Sequence, residues 1–109
     1  MIDQTQPIEV LAKRAAEVAE LLKLLANEQR LLLLCRLTQG ESSVSELVDL
    51  SHLAQSSVSQ HLAKMRLSGI VATRRDGTAI YYRLADSNVE ALIGMLCERF
   101  GPNMADSAD

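Results

Sequence analysis

The stretch SHLAQSSVSQHLAKMRLSGIVATRRDGTAIYYR, Ser51 to Arg83, decides how the chain is read. It opens as a short polar helix, turns, and continues as two strands joined around an Asp76-Gly77 corner. Between Gln55 and Leu67 the apolar residues Val58, Leu62 and Met65 recur at helical spacing and can face a core. Ser57, Gln60 and Lys64 fall on the opposite side, with His61 at its margin. A helix that shows water amides, hydroxyls and an ammonium, but no carboxylate, suits a polyanion. Arg74 and Arg75 stand beside the hairpin turn, so helix and basic wing together point to nucleic acid.

The formal charge of −3 and a pI near 5.3 argue the other way until the charge is located. Residues 61–83 carry Lys64, Arg66, Arg74, Arg75 and Arg83 against Asp76 alone. Residues 1–60 hold five basic and eight acidic residues, and residues 84–109 hold Arg99 against five acids. Positive charge is thus concentrated on the proposed helix and hairpin, which confines phosphate contact to one face.

Outward from that stretch, the pattern is helical. Leu11, Ala15, Val18, Leu22 and Leu25 trace an apolar stripe that predicts one helix from Ile8 to Leu25. Asn27 caps a second helix, Glu28 to Gln39, whose LLLLC run is apolar on nearly every side. Gly40 ends it, and Ser43 opens a third helix through Leu50, with Glu46 as its capping-box partner. Ser51 to Ala54 turn into the polar helix, and Gly69 closes it. Ile70 to Arg75 and Thr78 to Leu84 pair as a hairpin. Asp86 or Ser87 caps a last helix that Gly101-Pro102 stops. The order is ααααββα: mainly α with a β-hairpin wing, one domain over 1–109, with 1–7 and 102–109 as flexible ends. No apolar run approaches the roughly 20 residues that span a bilayer, and MIDQTQPIEV lacks a secretory apolar region, so the expected location is the cytoplasm. Two cysteines in such a chain are small buried apolar residues or a redox pair.

Three segments carry a family likeness: LLKLLANEQRLLLLCRL, SSVSQHLAKMRLSGIV and RRDGTAIYYRL. With them the chain resembles, over nearly its whole length, the ArsR/SmtB family of bacterial winged helix-turn-helix repressors. The resemblance implies a homodimer formed through the first and last helices, with two reading helices in successive major grooves of double-stranded DNA. It further implies an imperfect inverted-repeat operator, repression in the apo or reduced state, and release by an inducer. The metal-sensing type carries two thiolates in the third helix. Ser43 and Ser45 stand there in this chain, and a hydroxyl is a poor ligand for soft metals. Residues 86–101 contain no histidine for the other common metal site, so no metal and no cofactor are expected.

The likeness is nearest to the sulfide- and redox-responsive members. Cys35 sits where they carry one thiol, while their second lies at the position of Gly101. Here Cys97 stands one turn earlier, displaced about 6 Å along the axis. A disulfide needs Cα atoms about 4.4–6.8 Å apart, so the shift is compatible with a bond, a strained bond or none.

The residues expected to meet DNA are Gln55, Ser56, Ser57, Ser59, Gln60, His61, Lys64, Arg74 and Arg75. Gln can pair with adenine, Lys can reach guanine or phosphate, and Ser can serve either. Hydroxyls and free N–H groups in the first helical turn suit a phosphate oxygen. His61 either touches DNA or braces its helix against the wing. Strand alternation sends Arg74 and Arg75 to opposite faces, which favours Arg75, nearer the tip. Arg30 reaches the DNA backbone or pairs with an acid, and His52 takes no role. Ala54 is a weak N-cap for the reading helix. The expected function is a repressor, not an enzyme, released by thiol modification at Cys35 and Cys97. Structural cysteines with an unknown or absent effector remain an alternative. So does a helical protein-interaction module, which the basic cluster disfavours.

Overall fold

The structure, a computed structural model, describes residues 6–101. Pro7 opens the first helix, α1 (Pro7–Ala12), where its missing N–H costs nothing, and Gln6 and Glu9 form a capping box around it. Of the expected flexible start, Gln6 and Pro7 thus stand at the head of this helix, whereas residues 1–5 and 102–109 lie outside the described residues.

The single helix expected from Ile8 to Leu25 is two. Arg14 leaves helical geometry at φ −122° and ψ 11°, and α2 (Ala15–Leu25) begins after it. Helix α1 buries none of its residues, so no packed face holds it in line with α2. Arg14 instead pairs with Glu17 in the first turn of α2 at 3.1 Å.

Asn27 caps α3 (Glu28–Leu37) by accepting from the Arg30 N–H at 3.0 Å. A two-residue strand, β1 (Ser42–Ser43), then leads into α4 (Val44–Ser51). The expected capping box at its start is present: Ser43 Oγ accepts from the Glu46 N–H, and Glu46 accepts from the Ser43 N–H. His52 ends α4 in the left-handed region at φ 61°, its N–H bonding the Val48 carbonyl. Glycine more often fills such a cap.

The polar helix, α5 (Gln55–Leu67), has the expected bounds. The strands β2 (Val71–Asp76) and β3 (Ala79–Leu84) pair antiparallel from Val71↔Leu84 to Asp76↔Ala79. Gly77, at φ +64°, supplies the left-handed residue that the two-residue loop requires. The sheet order is β1-β3-β2, so the hairpin gains a third strand the sequence pattern did not indicate. Asp86 caps α6 (Ser87–Phe100) by accepting from the N–H groups of Asn88 and Val89.

One core joins these elements. Leu33 and Leu34 of α3, Leu47 of α4, and Val58, Leu62 and Met65 of α5 meet Val71, Val89 and Ile93. Burying a side chain of this size contributes about 1.5–3 kcal/mol each. The core thereby fixes α5 with its apolar stripe inward and its polar face outward. The result is mainly α with an antiparallel wing, a winged-helix arrangement.

Candidate nucleic-acid interface

With Val58, Leu62 and Met65 buried, Gln55, Ser56, Ser59, Gln60 and Lys64 are exposed along α5, while Ser57 and His61 are half-buried. No acidic residue lies in the first turn, and Ala54 supplies no side-chain cap. The first intrahelical bond runs from the Val58 N–H to the Ala54 carbonyl. Ahead of it, the N–H groups of Gln55, Ser56 and Ser57 point out of the helix end, where the helix dipole favours an anion.

His61 braces α5, but against α3 rather than against the wing. Arg30 Nε donates to His61 Nδ1 at 3.2 Å, and Nε2 lies 2.7 Å from Gln29 Oε1. Arg30 also donates to the Leu24 carbonyl at 2.6 Å, near the C-terminus of α2. The expected choice for Arg30 between the DNA backbone and an acid thus has a third outcome: it ties α2, α3 and α5 together. Burial, then the charges of Arg30 and Lys64, push the His61 pKa below its ordinary value.

On the wing, Arg74 and Arg75 do fall on opposite faces, since Arg74 pairs across the ladder with Tyr81 and Arg75 with Ile80. Arg74 Nε donates to both carboxylate oxygens of Glu41, at 2.8 and 2.9 Å, and its Nη2 lies 2.7 Å from Oε1. The same guanidinium lies 4.7 Å from the Tyr81 ring centroid. The hydrogen bond from Arg74 holds the Glu41 carboxyl below the usual range, with its charge and that of Arg83 adding to the effect. Arg75 is exposed and has no ion-pair partner among the described residues.

The question left open at Cys35 and Cys97 is answered by distance. Their Cα atoms are 6.1 Å apart and the two sulfurs form a disulfide that links α3 to α6. This separation lies inside the bonding range. Gly101 has no room for a side chain, because an added Cβ would collide with the Cys97 carbonyl. Of the two serines where the metal-sensing type has thiolates, Ser43 caps α4 and Ser45 is exposed.

Sequence reasoning missed Gln29 as a partner of His61 and Glu41 as the partner of Arg74. Each contact joins residues more than 30 apart in the chain, 32 for the first and 33 for the second, so no local signal marks them.

The profile of bacterial regulatory proteins of the arsR family matches residues 27–73, from the cap of α3 into β2. The Biofilm growth-associated repressor of Agrobacterium fabrum is 46% identical over 95 residues, covering 84% of this chain and 81% of that protein. The Transcriptional activator HlyU of Vibrio cholerae is 42% identical over 89 residues, covering 82% of each. Among solved structures, the transcriptional repressor BigR from Xylella fastidiosa matches with a TM-score of 0.81 at 43% identity. It covers 87% of this chain and 97% of that one. Both the pattern of the chain and its relatives agree: it belongs to the ArsR family of bacterial regulatory proteins.

Proposed function

We propose that the chain is a homodimeric, sequence-specific DNA-binding repressor, released from its operator by thiol oxidation or persulfide chemistry at Cys35 and Cys97. The observation that carries the DNA reading is α5 itself: an exposed face free of carboxylates, with an uncapped first turn, beside a wing bearing exposed Arg75. Gln55, Ser59, Gln60 and Lys64 would read base edges, while Ser56 and Ser57 with their N–H groups would hold a phosphate. His61 would serve by holding the helix in place.

Self-association is supported by apolar residues that a single chain leaves in water on its first and last helices. Ile8 on α1 is 75% exposed and Phe100 on α6 is 65% exposed. A dimer through these helices would place two copies of α5 about 34 Å apart, one turn of duplex, on an inverted repeat. No helix among the described residues is long and apolar enough to cross a membrane, which is compatible with work on chromosomal DNA in the cytoplasm.

Oxidation would remove two electrons and two protons from the Cys35 and Cys97 thiols, passing them to a peroxide or persulfide. The bond would tie α3 to the dimer helix α6 and favour a spacing of the two α5 helices that no longer fits successive grooves. A second reading, a structural staple, is favoured by the packing of both cysteines against the core cluster.

The test is a duplex of about 30 base pairs selected by the full chain from a randomised library, long enough for two half-sites. Binding should weaken steeply with salt. Peroxide or persulfide should release the unmutated protein but not Cys35→Ser. Salt-insensitive binding would sink the DNA reading. A normal response of Cys35→Ser would leave the staple.

A further inference from the structure

We propose that Glu41 is a positioning residue for DNA binding: through Arg74 it clasps the wing to the body, so that Arg75 on the opposite face meets the duplex. The inference rests on the DNA-binding reading above and concerns how the wing is presented.

Three observations meet here. The first is occupancy. The Arg74 fork is spent on Glu41, with Nε shared between both carboxylate oxygens and Nη2 on one of them, and the guanidinium also lies against Tyr81. To reach a phosphate it would have to abandon a bidentate carboxylate and an aromatic face together. Arg74 Nη1 also lies 4.0 Å from Asp76, a second acidic neighbour.

The second is register. Adjacent strand residues point to opposite faces, and the ladder sets Arg74 opposite Tyr81 and Arg75 opposite Ile80. The clasp and the exposed cation therefore share a strand but not a face.

The third is the place of the clasp. The strand β1 pairs with β3 only at Ser42↔Tyr82 and Ser43↔Tyr81. Beyond those residues the wing is a two-stranded ribbon, which holds its shape poorly alone. Glu41 stands immediately before β1, and it grips Arg74 at the ladder position where β1 ends its support.

The sign of one substitution separates this role from its rival. If Glu41 merely competed with phosphate for Arg74, Glu41→Ala would free a cation and remove a repulsive charge, and DNA would bind tighter. If Glu41 positions the wing, Glu41→Ala weakens binding.

The experiment measures affinity against salt for the full chain and the selected duplex. Arg75→Gln is expected to lower the salt slope by about one phosphate contact. Glu41→Ala and Arg74→Gln are each expected to weaken binding about three- to tenfold with the slope unchanged. The double variant is expected to be no weaker than either single one, because both remove the same clasp. Glu41→Gln, whose amide oxygen still accepts from Arg74, should fall between Glu41→Ala and the unmutated chain. Circular dichroism on each variant confirms that it is folded.

Tighter binding by Glu41→Ala or Glu41→Gln, or a lowered slope in Arg74→Gln, would overturn the proposal and make Arg74 a phosphate contact. A flat salt response from the unmutated chain would instead remove the DNA reading on which the proposal stands.

Discussion

Arg30 on α3 donates through Nε to Nδ1 of His61 on α5 across 3.2 Å, which assigns the proton of the imidazole. A nitrogen that accepts cannot also carry hydrogen, so the ring is the neutral form with its proton on Nε2. That proton is then directed at Gln29 Oε1, 2.7 Å away. The helix with the exposed, carboxylate-free polar side is thus latched by one uncharged ring to the helix that carries Cys35.

A pH dependence follows from this latch. Burial, then Arg30 and Lys64, hold the His61 pKa below the ordinary 6.5. As pH falls below that ordinary value, the unfolded chain takes a proton that the folded chain still refuses. The unfolded state then binds more protons, so stability falls with pH through this window and levels off below the folded pKa. Nitrogen-15 NMR should show the Nε2–H tautomer at neutral pH and a titration midpoint below 6.5. In His61→Gln the slope of unfolding free energy against pH in this window should flatten. A midpoint at or above the ordinary value would contradict the assignment.

The start of α5 leads to a trade between stability and binding. Ala54 occupies the N-cap with extended backbone, φ −64° and ψ 146°, and offers no acceptor to the first turn. Ala54→Asp supplies one, which should stabilise the fold by about 1 kcal/mol in urea unfolding. The same carboxylate would occupy the N–H groups proposed for a phosphate and repel it. Operator binding should therefore weaken while stability rises. Both quantities rising together would remove the helix end from the proposed interface.

At the start of α4 the cap is already optimal. Ser43 Oγ accepts from the Glu46 N–H at 3.1 Å, and Ser43→Ala should cost about 1 kcal/mol of stability. The returning bond, from the Ser43 N–H to Glu46 at 2.9 Å, is the leading cause that lowers the Glu46 pKa. A carboxylate with a depressed pKa adds stability above its ordinary value of 4.5 and loses it as pH falls through the folded pKa. Glu46→Gln should keep much of the cap yet lose that acid dependence. Unfolding measured in urea across the acidic range separates the two effects.

What could be read from the chain follows how locally each feature is specified. The bounds of α5, the Ser43 capping box and the Asp86 cap depend on residues within one turn, and each is written in a few letters. Strand β1 is only Ser42 and Ser43, with no branched or alternating pattern, and it exists because β3 lies beside it. The break at Arg14 has no Pro or Gly to announce it, and follows a helix, α1, that buries none of its residues. The proposed site divides the same way. Exposure of Gln60 and Lys64 followed from helical period, and the opposite faces of Arg74 and Arg75 from strand period. The partners of His61 and Arg74 come from distant segments, so only the fold reveals that one is a latch and the other a clasp.

The link between Cys35 and Cys97 closes a loop over a separation of 62 residues. By the loop-entropy argument, opening such a loop releases the unfolded chain and lowers stability by about 4 kcal/mol, with native bridges commonly contributing about 2–4 kcal/mol. Urea unfolding at one fixed protein concentration, with and without reductant, should show a loss of this size. Fixed concentration matters because a dimer's apparent stability depends on it. The reduced protein and Cys97→Ser should then match within error, since both lack the same bond. If the staple were the whole role, reduction would lower stability and leave operator affinity per folded molecule unchanged. If the bond sets the geometry of the α5 pair, reduction should lower stability and yet raise operator affinity. These opposite movements of two quantities in one sample distinguish a switch from a brace.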